Sequence, residues 1–249
     1  MHHPELEVVD REGVRTFALN RPEKKNCLTK DVVAALIEGL RDAAIREEIR
    51  VAIVTGRGGV FSAGIDVSIL MEVAMTEKMP ESVSALGGSL LDFPKPLIAA
   101  VDGLAVGMAV TILPYFDMVY ASERAEFMTP FSKLGLSIEY GGSFTFPRLI
   151  GRQRTNELIF RGNRVDARTL EAWGFLTRVF SNEDFAAEVE RIAREIAAHP
   201  PEAVRASKRL IQRGEQVSFE EAVRDELEEL SRRFKSPEMR EAVGAFLKR

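Results

Sequence analysis

The longest apolar stretch of the sequence runs from Leu97 to Leu113 and reads LIAAVDGLAVGMAVTIL. Asp102, Gly103 and Gly107 interrupt it, and Pro114 follows it. A membrane span needs about 20 predominantly apolar residues with few or no charges. This stretch reads instead as a buried strand from Pro96 to Val101, a turn from Gly103 to Gly107, and a buried helix closed by Pro114. A strand that turns sharply into a helix with small first residues presents backbone N–H groups to whatever lies beyond the turn. Two such donors converging on one oxygen form an oxyanion hole. Tight packing of a buried helix on a strand accounts for the same residues equally well.

The neighbouring segments repeat the pattern. Val51 to Thr55 is a short apolar run bounded by Gly56, again a buried strand. The glycine loop Gly56-Arg57-Gly58-Gly59 follows it, then helical residues through the seventies and eighties. Asp117 to Ala121 and the shorter Glu126 to Met128 read as strands. Near the start, Leu6 to Val9 and Val14 to Leu19 are β-rich and flank the turn-like Asp10-Arg11-Glu12-Gly13. A polar loop with Pro22 leads to Thr29, an N-cap for a helix carrying Val32, Val33, Leu36, Ile37 and Leu40 at helical spacing. Strands alternating with helices place the chain in the α/β class. From about Arg152 the pattern is helices only, broken at His199-Pro200-Pro201 and Lys235-Ser236-Pro237. The division expected is an α/β core over residues 1–195 and a helical region over 196–249. Those helices either close the chain's own core or pack on a neighbouring subunit.

The totals narrow the function. The chain has 249 residues, 45% of them hydrophobic and 29% charged, as in ordinary globular domains. Its formal net charge is −4, with no dominant basic stripe, so nucleic acid is not an expected partner. The single cysteine, Cys27, cannot form an internal disulfide and suits a reducing compartment as a small apolar filler. The start of the sequence has no basic region followed by an apolar run, and Leu247-Lys248-Arg249 is no peroxisomal signal, so a cytoplasmic protein is expected. No metal is expected, because His2, His3 and His199 are scattered and no Cys/His cluster occurs.

Two further segments carry chemistry. Gly59-Val60-Phe61-Ser62-Ala63-Gly64-Ile65-Asp66 has small residues that let the backbone approach a ligand. If a helix starts there, the Ile65 N–H is one of its unpaired donors. In Thr129 to Ser143 one carboxylate, Glu139, sits among Gly, Ser and aromatic residues. A carboxyl held among apolar groups has a raised pKa and can take and return a proton.

Together these segments resemble one family. Leu19 to Leu28, Phe61 to Asp66 and Ala99 to Gly103 look like successive signatures of the crotonase, or enoyl-CoA hydratase/isomerase, superfamily, and the tail from Phe234 to Phe246 is similar too. The resemblance implies a spiral of ββα units with a helical C-terminal trimerisation region, in trimers or dimers of trimers. It implies an acyl-CoA substrate, with coenzyme A as its only cofactor-like part. It also implies a thioester oxygen held by the backbone N–H groups of Ile65 and Met108. CoA contacts would fall at Lys24, Lys25, Ser62, Ala63 and Asp66, with Phe246 and Lys248 approaching from the last helix.

Hydratases of that family add water with two glutamates. The matching positions here are Thr111 and Phe131, and neither is an acid. Glu139 falls instead where the Δ3-Δ2-enoyl-CoA isomerase branch carries its single glutamate. The expectation is therefore an enzyme that shifts a 3-enoyl-CoA double bond to the trans-2 position. Glu139 would move the proton, Ile65 and Met108 would hold the oxyanion, and Phe131, Leu134 and Leu136 with Met108 would line an acyl pocket or simply belong to the core. The alternatives are hydration by an unusual residue set, thioester hydrolysis, and a non-catalytic acyl-CoA-binding homologue.

Overall fold

The computed structural model describes residues 3–247. A hairpin opens the chain: β1 (Leu6–Arg11) and β2 (Val14–Leu19) pair antiparallel, with Arg11 opposite Val14. The two residues between them, Glu12 and Gly13, both have positive φ, the conformation that a two-residue hairpin turn of the right twist needs. Thr29 then caps α1 (Lys30–Ile45), its side chain accepting from the Val32 N–H at 3.2 Å. The buried face of α1 includes Val32, Val33, Leu36, Ile37 and Leu40, the residues expected from their spacing.

The chain then winds as a spiral that sends alternate strands to two sheets. β3 (Val51–Gly56) joins the first sheet and β4 (Val60–Ser62) the second, followed by α2 (Val67–Thr76) and α3 (Glu81–Leu91). β5 (Leu97–Val101) and β6 (Leu104–Val106) repeat the step and lead into α4 (Met108–Thr111). β7 (Met118–Ser122) and β8 (Glu126–Met128) repeat it again, followed by α5 (Gly142–Ile150) and α6 (Arg152–Arg161). β9 (Arg164–Asp166), α7 (Ala167–Trp173) and β10 (Arg178–Phe180) complete the two sheets. The first sheet has the order β1-β2-β3-β5-β7-β10 and the second β4-β6-β8-β9. Apart from the pairs β1/β2 and β8/β9, every ladder is parallel. This is the expected α/β spiral.

The apolar strand runs follow from burial on both faces. On β3, Ala52 and Val54 face the main core with α1 and α3, whereas Val51 and Ile53 face a second cluster under α8 (Phe185–Ala197). On β5, Leu97, Ala99 and Val101 face the main core, and Ile98 and Ala100 the second cluster. Phe185 and Val189 of α8 cover that second face, each burial contributing about 1.5–3 kcal/mol.

Two expectations are corrected, and the expected division of the chain meets a helix. Leu104–Val106 is a strand and not part of a turn, because β4 and β8 flank it and take its backbone groups. The region after Arg152 is not helical throughout, since β9 and β10 lie in it. Three-residue strands are too short to show alternation. The boundary placed at residue 196 falls inside α8, which packs on the core sheet.

The remaining tail is α9 (Pro201–Gly214), α10 (Phe219–Arg233) and α11 (Pro237–Phe246). α9 is tied to the core by buried Lys208, whose ammonium donates to the Lys95 carbonyl at 2.9 Å and to Asp117 at 2.8 Å. α10 and α11 bury almost none of their apolar residues: Phe219, Leu227, Leu230, Phe234 and Phe246 are all exposed. No helix among the described residues is long and apolar enough to cross a membrane.

Candidate active site

β4 and β6 run parallel, with Val60 opposite Leu104 and Ser62 opposite Ala105. The loops that leave their C-terminal ends, Ala63 to Asp66 and Gly107 to Met108, therefore emerge together. Ends of parallel strands are where α/β sheets place their ligands. Gly64 seals the contact at φ +83: a Cβ there would lie 2.4 Å from the Val106 carbonyl oxygen and 3.4 Å from the Met108 nitrogen. Only glycine fits.

Each loop leaves one backbone donor free. Leu28 donates to the Gly64 carbonyl at 2.8 Å and accepts from the Asp66 N–H at 3.0 Å, which directs the Ile65 N–H away from it. Met108 is the first residue of α4, and its N-cap Gly107 (φ 57, ψ −118) offers no side chain. Neither N–H donates to any acceptor among the described residues. These are the two nitrogens expected for the oxyanion hole. Ile65 is half-buried and Met108 fully buried.

Glu139 approaches from a third direction, at the end of an irregular segment that precedes α5. Its side chain is half-buried there. On the turn of α4 that begins at Met108, the Thr111 hydroxyl donates to the Met108 carbonyl at 3.3 Å. Burial raises the Glu139 carboxyl above the ordinary glutamate range, and the Thr111 hydroxyl partly offsets this. The backbone beside it is held unusually firmly. Tyr140 has φ +48, the Tyr115 hydroxyl donates to the Tyr140 carbonyl at 2.8 Å, and the Tyr140 hydroxyl donates to the Val83 carbonyl of α3. The Gly142 N–H closes on the Glu139 carbonyl at 2.9 Å. Non-glycine residues at positive φ concentrate at functional sites, where surrounding contacts enforce them.

The other expected residues divide. Lys24 and Lys25 are exposed on the 3-10 turn Pro22–Lys24 and its left-handed cap, beside Ala63, whose N–H donates to the Lys25 carbonyl at 2.8 Å. The Ser62 hydroxyl is engaged within the chain, which leaves only its backbone for a ligand. The residue is fully buried, its hydroxyl donating to the Asn26 carbonyl at 2.7 Å and accepting from the Gly64 N–H at 3.0 Å. Asp66 is also committed internally. It caps α2 through Ser68, pairs with Arg21 at 3.3 Å and accepts from the Cys27 thiol at 3.1 Å. The Ser68 bonds hold its carboxyl at about 2, and a charge so engaged does not serve an anionic phosphate. Burial pushes the Cys27 thiol up to about 11, as an inert filler requires.

Of the acyl-pocket set, Phe131 is buried, whereas Leu134 and Leu136 are 60% and 47% exposed on the single chain. Phe246 is exposed, and Lys248 lies outside the described residues. Among the described residues no group of three or more potential metal ligands occurs.

Asn26 was not singled out by sequence. It is 1% exposed, at φ +51, and its side chain accepts from the Arg21 N–H and donates to the carbonyls of Arg57 and Val60. It stitches the lysine loop to the strand that delivers Ile65. An asparagine directly after two lysines in a Pro-containing loop is the one available signal, since Asn tolerates left-handed backbone.

This geometry supplies one proton-transfer group with a raised pKa and two unpaired N–H donors. The family model described as Enoyl-CoA hydratase/isomerase matches residues 10–249. The chain is 36% identical, over 98% of its own length and 63% of the relative's, to human "Enoyl-CoA delta isomerase 2". It is 32% identical to mouse "Enoyl-CoA delta isomerase 3, peroxisomal", over 96% of this chain and 77% of that one. Thus it spans under two thirds of the human relative. Among solved structures, a putative enoyl-CoA hydratase/carnithine racemase from Magnetospirillum magneticum AMB-1 superposes with a TM-score of 0.92 at 29% identity, covering 99% of this chain and 97% of that one.

Proposed function

The chain belongs to the enoyl-CoA hydratase/isomerase family, and from that premise we propose that it shifts the double bond of a 3-enoyl-CoA to the trans-2 position. The observation that carries the proposal is Glu139, a partly buried carboxyl whose pKa burial raises. The proton at C2 of a 3-enoyl thioester is acidified by both the thioester and the vinyl group. Glu139 removes it. The Ile65 and Met108 N–H groups hold the dienolate oxygen, each contributing on the order of 3 kcal/mol to lowering the barrier. Glu139 then returns the proton to C4. One group serves as base and then as acid, which a raised carboxyl pKa favours.

Water addition needs a second acid–base group near the first. The two positions that would carry the hydratase pair hold fully buried Thr111 and buried Phe131, neither of which transfers protons near neutral pH. Coenzyme A enters only as part of the substrate, near Lys24, Lys25 and Ala63. The exposed apolar faces of α10 and α11 fit a second and third copy of the chain, hence a trimer or a dimer of trimers. A reducing, cytoplasmic setting fits the single thiol. A panel of 3-enoyl, 2-enoyl and saturated CoA thioesters tests the reaction. Conversion of the 3-enoyl substrate alone is expected, whereas hydration of the 2-enoyl or release of free CoA would contradict it.

A further inference from the structure

Tyr115 joins two parts of the site that the chain keeps apart. From Met108 to Leu113 every residue is buried, and the run passes through α4 into a 3-10 turn that ends at Tyr115. Close-packed interiors transmit strain, so this run behaves as one rigid piece. Met108 and its unpaired N–H stand at one end. At the other, the Tyr115 hydroxyl donates to the Tyr140 carbonyl at 2.8 Å. That carbonyl belongs to the turn that begins at Glu139. The Gly142 N–H donates to the Glu139 carbonyl at 2.9 Å, across Tyr140 at φ +48 and Gly141 at φ +64. Two successive positive φ values make a mirror-image turn, which Gly, Asn and Asp dominate. Gly141 meets that demand freely, whereas a tyrosine resists it and must be held. Two bonds hold it: the Tyr115 hydroxyl on its carbonyl, and its own hydroxyl on the Val83 carbonyl of α3. Gly87 on α3 admits both rings, since a Cβ there would lie 3.2 Å from the Tyr140 ring and 3.6 Å from that of Tyr115. Packing alone would need neither hydroxyl.

We propose that Tyr115 is a positioning residue that fixes the base relative to the Met108 N–H. Its hydroxyl holds Tyr140 in the left-handed conformation, the turn at Glu139 stays closed, and the carboxyl keeps one direction of entry. The base and one oxyanion donor are then both referred to a single buried element. This rests on Glu139 and Met108 acting as they do in the proposed isomerisation. Without the hydroxyl, Tyr140 relaxes towards negative φ, the bond from Gly142 to Glu139 opens, and the carboxyl loses its aim. Substrate binding suffers less, because the proposed CoA contacts at Lys24, Lys25 and Ala63 belong to other loops.

Tyr115→Phe removes the hydroxyl and keeps the ring. It should lower kcat for 3-enoyl-CoA isomerisation about ten- to a hundredfold, the scale of a misplaced catalytic group, and leave KM within about twofold. Tyr140→Gly relieves the turn of its need for a clamp, because glycine adopts positive φ readily. In that background Tyr115→Phe should cost less than about twofold, a non-additivity that two independent packing defects would not produce. Hydrogen–deuterium exchange of the peptide spanning residues 139–142 reads the clamp without activity. Tyr115→Phe should speed exchange there about tenfold, the scale of one lost hydrogen bond. An unchanged kcat, an equal loss in both backgrounds, or unchanged exchange would each overturn the proposal. Should Tyr140→Gly not fold, Tyr140→Asn gives the same comparison, since asparagine also tolerates the left-handed region. A native protein without isomerase activity would remove the proposed function, while exchange would still decide whether Tyr115 holds the Glu139 turn.

Discussion

At the scale of the residue, the site depends on what surrounds one carboxyl. Glu139 was legible only through resemblance, because a glutamate in a loop is ordinarily solvated. What distinguishes it is its burial and two tyrosines bracing the adjoining backbone, brought together from separate parts of the chain. Nothing local in the sequence ties Tyr115 to the Glu139 segment, and Asn26 escaped for the same reason: its partners lie far along the chain. The raised carboxyl pKa has a consequence for stability. A carboxyl whose folded pKa lies above its unfolded value binds more protons when folded, so stability falls as pH rises through the interval between them. That cost is fully present above the folded pKa and absent below the unfolded one. Glu139→Gln removes it. The variant is expected to melt higher than the native protein at about pH 8, by roughly 2–4 °C for each kcal/mol recovered. That advantage should vanish at about pH 4, where both side chains are neutral. Melting curves at the two pH values check this, and an advantage that is the same at both would contradict it.

At the scale of the element, strands that leave their ends side by side bring together the loops of Ile65 and Met108, the proposed oxyanion donors. The long buried runs of β3 and β5 were readable because both faces are covered and the residues are apolar throughout. The three-residue strands β4, β6, β8, β9 and β10 were harder, since so short a segment becomes a strand only through its partner's hydrogen bonds. β8 reads as a strand from its sequence, whereas β6 reads as part of a turn and β9 and β10 fall within a helical pattern. Gly64 is where one of these pairs touches the site. Its φ of +83 and the 2.4 Å approach of the Val106 carbonyl leave no room for a methyl group. Gly64→Ala is expected to destabilise the fold by about 1–3 kcal/mol. It should also lower kcat by on the order of a hundredfold by moving one oxyanion donor. Chemical denaturation and steady-state kinetics on the same preparation read both effects. A stable and fully active variant would show that the Ile65 loop does not need this contact.

At the scale of the whole molecule, the tail is the unfinished part. Its helical spacing was plain in the sequence, but whether it closed its own core or another's was not. The structure leaves Phe219, Leu227, Leu230 and Phe234 exposed on α10 and at its end, while buried Glu229 gathers Arg209, Arg232 and Arg233. Apolar faces of this extent mark interfaces. Light scattering is expected to give a mass at least roughly three times the 27.7 kDa chain. Leu230→Glu with Phe234→Glu should shift the protein towards single chains, and a native monomer would contradict the assembly.

The proposed function turns on one proton transfer, and its most direct test is turnover of a trans-3-enoyl-CoA by native protein and by Glu139→Gln, followed as formation of the conjugated 2-enoyl thioester. The one-base mechanism predicts robust native activity and a loss of at least about a hundredfold in the variant, the usual scale for losing a general acid–base group. Full activity in Glu139→Gln would contradict it.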